Sequence, residues 1–208
     1  MCMRRPLPAA AGILALTVVL AMAGCGGGKQ SERLLTRDDL VSAIGPPPDT
    51  PAGADYSSSE PVDLSLADLR AREQAASDSA TFALLEKTGL SRVYQVSYNG
   101  AINVADGTAY LFKDVAGAGD AFAGLRTSLG RQTVPGPKLS EVSADGLGDE
   151  AWGAHLTGGS EAGLFLFRAS NLVVVADMSC DAACGVDIVG AARSYAAGIA
   201  KRASEIGG

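Results

Sequence analysis

The sequence predicts an α+β fold, an antiparallel β-sheet of hairpins packed with about three helices. Three observations lead there. Asn99-Gly100 and Asp106-Gly107 separate short runs of strand-forming residues. Leu164 to Arg168 and Asn171 to Asp177 are apolar runs close enough to form a second hairpin. Between and after them lie stretches whose apolar residues recur at threes and fours. Strands joined by tight turns run antiparallel, because parallel pairs need a long crossover.

Met1 to Pro8 carry Arg4 and Arg5 and no acid, and Ala9 to Ala23 are apolar or small throughout. A basic start, a short apolar core and small residues before a cut form the pattern of a secretory signal. An uncleaved membrane helix needs about 20 apolar residues, more than this run offers. Two cuts fit. Ala21-Met22-Ala23 suits an ordinary signal peptidase acting before Gly24. Met22-Ala23-Gly24-Cys25 instead resembles the bacterial lipobox, and that resemblance implies a thioether-linked diacylglycerol on Cys25. It implies more than one acyl chain of the palmitate type, which suits stable anchoring. Cysteine parity favours the second cut. Cys2 leaves with the signal, so Cys25, Cys180 and Cys184 remain, an odd number for an exported protein. Acylation of Cys25 leaves Cys180 and Cys184 as a disulfide pair.

The expected organisation is a signal peptide over 1–24, a lipidated N-terminus and flexible spacer over 25–60, and one extracytoplasmic domain over 61–208. Gly26-Gly27-Gly28 and Pro46-Pro47-Pro48 mark the spacer. As a coil, residues 26–60 would span on the order of 33 Å. Leu34 to Val41 is an apolar island with a helical turn starting at Thr36, and the sequence leaves open whether it docks on the domain.

Leu64 to Lys87 has helical composition, as one long helix or two short ones, with Gly89 as a C-terminal cap. Val93 to Tyr98, Ala101 to Ala105 and Thr108 to Phe112 follow as strands. Taking both turns as two-residue hairpins puts Tyr98 opposite Ala101 and Asn103 opposite Tyr110. One face then collects Tyr94, Val96, Tyr98, Tyr110 and Phe112. Of these Tyr94, Tyr98, Tyr110 and Phe112 are candidate ligand-contacting residues for an apolar ligand or partner, with burial in the core as the competing reading. Asp114 caps a helix from Val115 to Leu129. Leu139 to Val142 is a short strand, Gly158-Gly159 a turn, and Val186 to Ile206 a final helix with Ile188, Ala192, Tyr195, Ile199, Ala203 and Ile206 on one face.

The Tyr110-Leu111-Phe112 strand running into the next helix, and Gly146-Leu147-Gly148-Asp149-Glu150-Ala151 before the last hairpin, resemble a group of exported actinobacterial lipoproteins. Some of that group resemble the extracellular sensor domains of actinobacterial kinases. The resemblance implies fold and compartment and no activity.

The formal charge is −6, and loss of residues 1–24 makes it −8. An acidic chain without clustered Lys and Arg is a poor nucleic-acid binder. His155 is the single histidine, and Gly158 to Gly163 misses the G-x-S-x-G elbow. No catalytic residue and no cofactor is therefore assigned. Gly117 to Phe122 fits helix–sheet packing better than a dinucleotide site. Asp145, Asp149 and Glu150 lack calcium-loop spacing, and zinc at Cys180 and Cys184 would need more than one distant histidine. No metal is assigned. The expected function is a non-enzymatic interaction or sensor module, membrane-anchored through Cys25, with carriage of an apolar ligand as the alternative.

Overall fold

The structure, a computed structural model, describes residues 33–47, 56–73, 79–130, 138–181 and 184–207. The signal segment, Cys25 and the Pro46-Pro47-Pro48 run beyond Pro47 lie outside them. In order the elements are α1 (Arg37–Ala43), β1 (Ser57–Ser58), β2 (Val62–Ser65), α2 (Leu66–Glu73), α3 (Ser79–Lys87), β3 (Leu90–Asn99), β4 (Asn103–Phe112), α4 (Val115–Gly130), β5 (Lys138–Val142), β6 (Glu150–Thr157), β7 (Ser160–Ala169), β8 (Leu172–Asp181) and α5 (Ile188–Gly207). The fold is α+β. All eight strands join one antiparallel sheet in the order β1-β3-β4-β8-β7-β6-β5, with β2 also paired to β3.

Helices cover both faces. Alternation along each strand sends Phe165, Phe167, Leu172, Val174, Ala176 and Met178 to one side, where they pack with Ile188, Ala192, Tyr195 and Ile199 of α5. The other side sends Leu90, Val93, Phe112, Leu166 and Val173 against Ala118, Phe122 and Leu125 of α4. The apolar stripe of α5 is the one expected, widened by Ala196 and Ala200. Asp114 caps α4, its Oδ1 accepting from Gly117 N at 2.7 Å.

Two expectations need correction. First, the three short strands are two long ones. Asp106-Gly107 is not a turn but lies inside β4, which pairs Tyr98 with Ala105, Val96 with Gly107 and Val93 with Tyr110. Gly107 is needed for close approach: a Cβ there would lie 2.5 Å from the Tyr195 hydroxyl and 3.1 Å from Ile44. The single turn is the three-residue loop after Asn99, tightened by Gly100 N donating to Asn103 O at 2.8 Å. Second, the folded unit begins upstream of residue 61. Thr36 and Asp39 form a capping box at the start of α1, and Leu35, Leu40, Ala43 and Ile44 are buried in the α5-side core. The spacer assigned to 25–60 therefore includes a docked segment. Among the described residues the helical stretch before β3 comprises α2 and α3, and its first residue, Leu64, belongs to β2.

The docking is held by polar bonds as well as burial. Asn171 is 2% exposed. Its Oδ1 accepts from Leu35 N at 2.7 Å, and its Nδ2 donates to Leu35 O at 3.2 Å and Phe112 O at 2.8 Å. Arg33 donates to Ile206 O at 2.7 Å and Arg202 to Ala43 O at 2.8 Å, tying both ends of the segment to α5. Asp63 of β2 holds Arg37 at 2.6 Å and Arg92 at 3.0 Å.

Candidate functional site

Where α4 gives out, the sheet face opposite α5 changes character. Val104, Asp106, Thr108 and Tyr110 of β4 and Val175, Asp177 and Ser179 of β8 are half-buried, while the residues alternating with them are buried. Asp106 and Asp177 are direct cross-strand partners, so their side chains leave the same face side by side. Ser97, opposite Asp106 on β3, donates its hydroxyl to Asp106 Oδ1. A polar stripe of Ser97, Asp106 and Asp177 thus crosses three neighbouring strands.

Two carboxylates at adjacent sheet positions cannot both ionise freely. Burial, and then the charge of Asp106, push Asp177 up to about 7. Near neutral pH Asp177 is therefore poised between a carboxylic acid that can donate a hydrogen bond and a carboxylate that accepts one. This suits reversible recognition of a polar group and makes the stripe responsive to pH.

A carboxyl whose native value lies above its unfolded value binds more protons in the native state between the two values. Stability then falls as pH rises from about 4 to about 7. Asp177→Asn removes the penalty. Relative to the wild type it should gain about 2 kcal/mol at pH 8, discounted for partial exposure from a ceiling of about 4, and show little change near pH 4. Thermal melts of both proteins at several pH values test this. A pH-independent difference would contradict it.

A second concavity lies on the same side of the sheet. Two adjoining clefts of 400 and 510 Å³ share Arg126, Glu141 and Trp152. Trp152 Nε1 donates to Glu141 Oε1 at 2.9 Å, and Arg126 stands 3.9 Å from the same carboxylate. The Gly146-to-Ala151 motif borders both clefts, yet its acids are engaged. Asp149 Oδ2 accepts from Arg168 Nη1 and from Ser170 N, both at 2.9 Å, and Glu150 accepts from Arg168 Nε at 2.7 Å. The motif clamps a loop to the β7–β8 hairpin.

The residues singled out from sequence are dispersed. Cys25 lies outside the described residues. Cys180 and Cys184 form a disulfide with a Cα–Cα separation of 6.0 Å. The proposed aromatic face is divided by the corrected register. Tyr94 and Tyr98 are buried on the α5 side, and Tyr195 meets Tyr98 edge-on at 6.3 Å. Phe112 and Tyr110 pack on the opposite side. These four residues cannot line one pocket, because the sheet lies between them. His155 sits on β6 with Nε2 4.0 Å from Glu161 Oε1. The Asp106–Asp177 pair was missed, although an aspartate between Ala176 and Met178 in an apolar run signals it.

No family model matches the chain, and no curated protein does. Among solved structures the chain is similar to the extracellular domain of PknH from Mycobacterium tuberculosis, at 14% identity over 83% of this chain and 93% of that one, with a TM-score of 0.47. It is also similar to an uncharacterized protein (Rv0999 ortholog) from Mycobacterium smegmatis, at 11% identity over 80% and 94%, with a TM-score of 0.42. Among the described residues, no helix is long and apolar enough to cross a membrane.

Proposed function

We propose that the chain is an exported lipoprotein anchored through Cys25, whose domain is a non-enzymatic recognition or sensor module. The observation that carries the recognition reading is the Asp106–Asp177 pair, two acids placed together on a half-open sheet face. Support for the anchor comes from the lipobox-like Met22-Ala23-Gly24-Cys25 and from the Cys180–Cys184 pairing, which leaves Cys25 as the unpaired cysteine after signal removal.

Docking of the Arg33–Ile44 segment limits how far the domain stands from such an anchor. Eight peptide steps separate Cys25 from Arg33, so even a fully extended chain reaches at most about 28 Å. The domain would work close to the lipid surface, and its partner would be a membrane-proximal component.

Metabolic labelling with an alkyne fatty acid tests the anchor. The wild type should be labelled and Cys25→Ala should not; label surviving in the variant overturns the assignment. For recognition, a photo-crosslinker at Thr108, beside the acid pair, should give a discrete adduct in live cells that is lost on Asp106→Asn/Asp177→Asn. An adduct unchanged by that double substitution counts against the face as the recognition surface.

A further inference from the structure

Outside the acid pair, strand pairing gathers a second group of chemistry-bearing side chains. Glu161 of β7 is the cross-strand partner of Cys180 on β8, and His155 of β6 is the partner of Gly163 on β7. Directly paired residues share a face. Cys180 belongs to the α5-side core, and a Cβ on Gly163 would meet Ala192 of α5, so this face is the one covered by α5. Beyond β8 the chain folds back, with Cys184 N donating to Asp181 O at 3.0 Å. As a result the Glu161 carboxylate and the sulfurs of Cys180 and Cys184 all lie within 4.8 Å of one another. His155 Nε2, 4.0 Å from Glu161 Oε1, is buried without a hydrogen-bond partner.

A buried imidazole nitrogen left unbonded costs free energy, and here it points at a carboxylate beside two sulfurs. We infer that in the dithiol state Cys180, Cys184, Glu161 and His155 form a binding site for a divalent zinc ion. Two sulfurs, one imidazole nitrogen and one carboxylate oxygen are a tetrahedral ligand set that suits zinc. The disulfide and the metal are alternative states of one site. An external dithiol opens the bridge by exchange: two electrons and two protons pass to the Cys180 and Cys184 sulfurs, and the donor closes its own disulfide. Zinc then displaces both thiol protons to solvent. The sulfurs separate to about 3.8 Å, the tetrahedral edge for a Zn–S bond of about 2.3 Å, and the His155 imidazole, which neighbours Glu161 but stands outside the 4.8 Å cluster, swings in as the fourth ligand.

The test uses the full chain in detergent, reduced with a phosphine that competes little for the metal, with Co²⁺ as the spectroscopic probe. Expected are thiolate-to-cobalt charge-transfer bands and intense visible bands of tetrahedral type, bleached by Zn²⁺ and absent from the oxidised protein. His155→Ala and Glu161→Ala, both at partly exposed positions, should each weaken Zn²⁺ binding by about tenfold or more. Zinc should also raise the melting temperature of the reduced wild type, a readout that holds even where reduction loosens the fold. Three results would overturn the inference: no cobalt spectrum in the reduced protein, binding equal to that of Cys180→Ser/Cys184→Ser, or affinity unchanged in both His155→Ala and Glu161→Ala.

Discussion

Asn171→Ala is expected to lower stability by about 4 kcal/mol and to release the N-terminal segment from the domain. The side chain makes three hydrogen bonds in a buried setting, two to the main chain of Leu35 and one to Phe112 O. Alanine removes all three and leaves Leu35 N, Leu35 O and Phe112 O without these partners. Each such group costs about 1 to 3 kcal/mol. The effect reaches beyond the turn because Leu35 begins the stretch that carries Leu40, Ala43 and Ile44 into the core. Urea unfolding should show the lower midpoint. Limited proteolysis should cut between residues 33 and 47 in the variant, at protease concentrations that spare the wild type. A loss below about 1 kcal/mol with unchanged proteolysis would mean that apolar burial and the Arg33, Arg37 and Arg202 contacts hold the segment without Asn171.

Release of the segment also bears on the anchor. With Arg33–Ile44 docked, the reach from Cys25 is set by eight peptide steps. Undocked, the chain up to the next paired residue, Ser57, adds two dozen more. Asn171 therefore governs how closely the domain is held to a lipid surface, under the anchoring proposed above.

Local signals were legible where one principle ruled. The α5 stripe, the α4 helix with its Asp114 cap and the β7–β8 hairpin all follow from local pattern and capping. The β3–β4 hairpin did not, because a dipeptide with turn preference was needed for a different purpose. Gly107 is glycine so that Tyr195 of α5 can lie against the strand, and Asp106 is there as the neighbour of Asp177. Both reasons depend on residues far along the chain. One wrong turn moved Tyr110 and Phe112 across the sheet from Tyr94 and Tyr98, which dissolved the aromatic face as a site. The docked segment was hidden for a similar reason. Thr36 and Asp39 announce a helix start and the apolar island is visible, but the polar partners that fix it on the core, Asn171 and Arg202, are revealed by no pattern within residues 33–44.

Gly148→Ala should destabilise the protein by about 4 kcal/mol, and Gly146→Ala by only about 1 kcal/mol. Both glycines lie in the Gly146-to-Ala151 motif, and both have positive φ, +60° and +81°. Alanine in that region costs about 1 to 2 kcal/mol by itself. What separates them is space. A Cβ on Gly146 meets nothing within 4 Å, whereas one on Gly148 would overlap the Arg168 carbonyl oxygen. That oxygen accepts from Asp149 N at 2.7 Å, and Arg168 in turn binds Asp149 and Glu150. Moving the loop outward to relieve the overlap would strain this whole clamp, including the Ser170 N bond to Asp149 that shapes the hairpin carrying Asn171. Chemical denaturation of the two variants gives the difference directly. Equal losses would show that backbone conformation alone explains the motif; a gap of about 3 kcal/mol would assign it to the close packing of one loop on one hairpin.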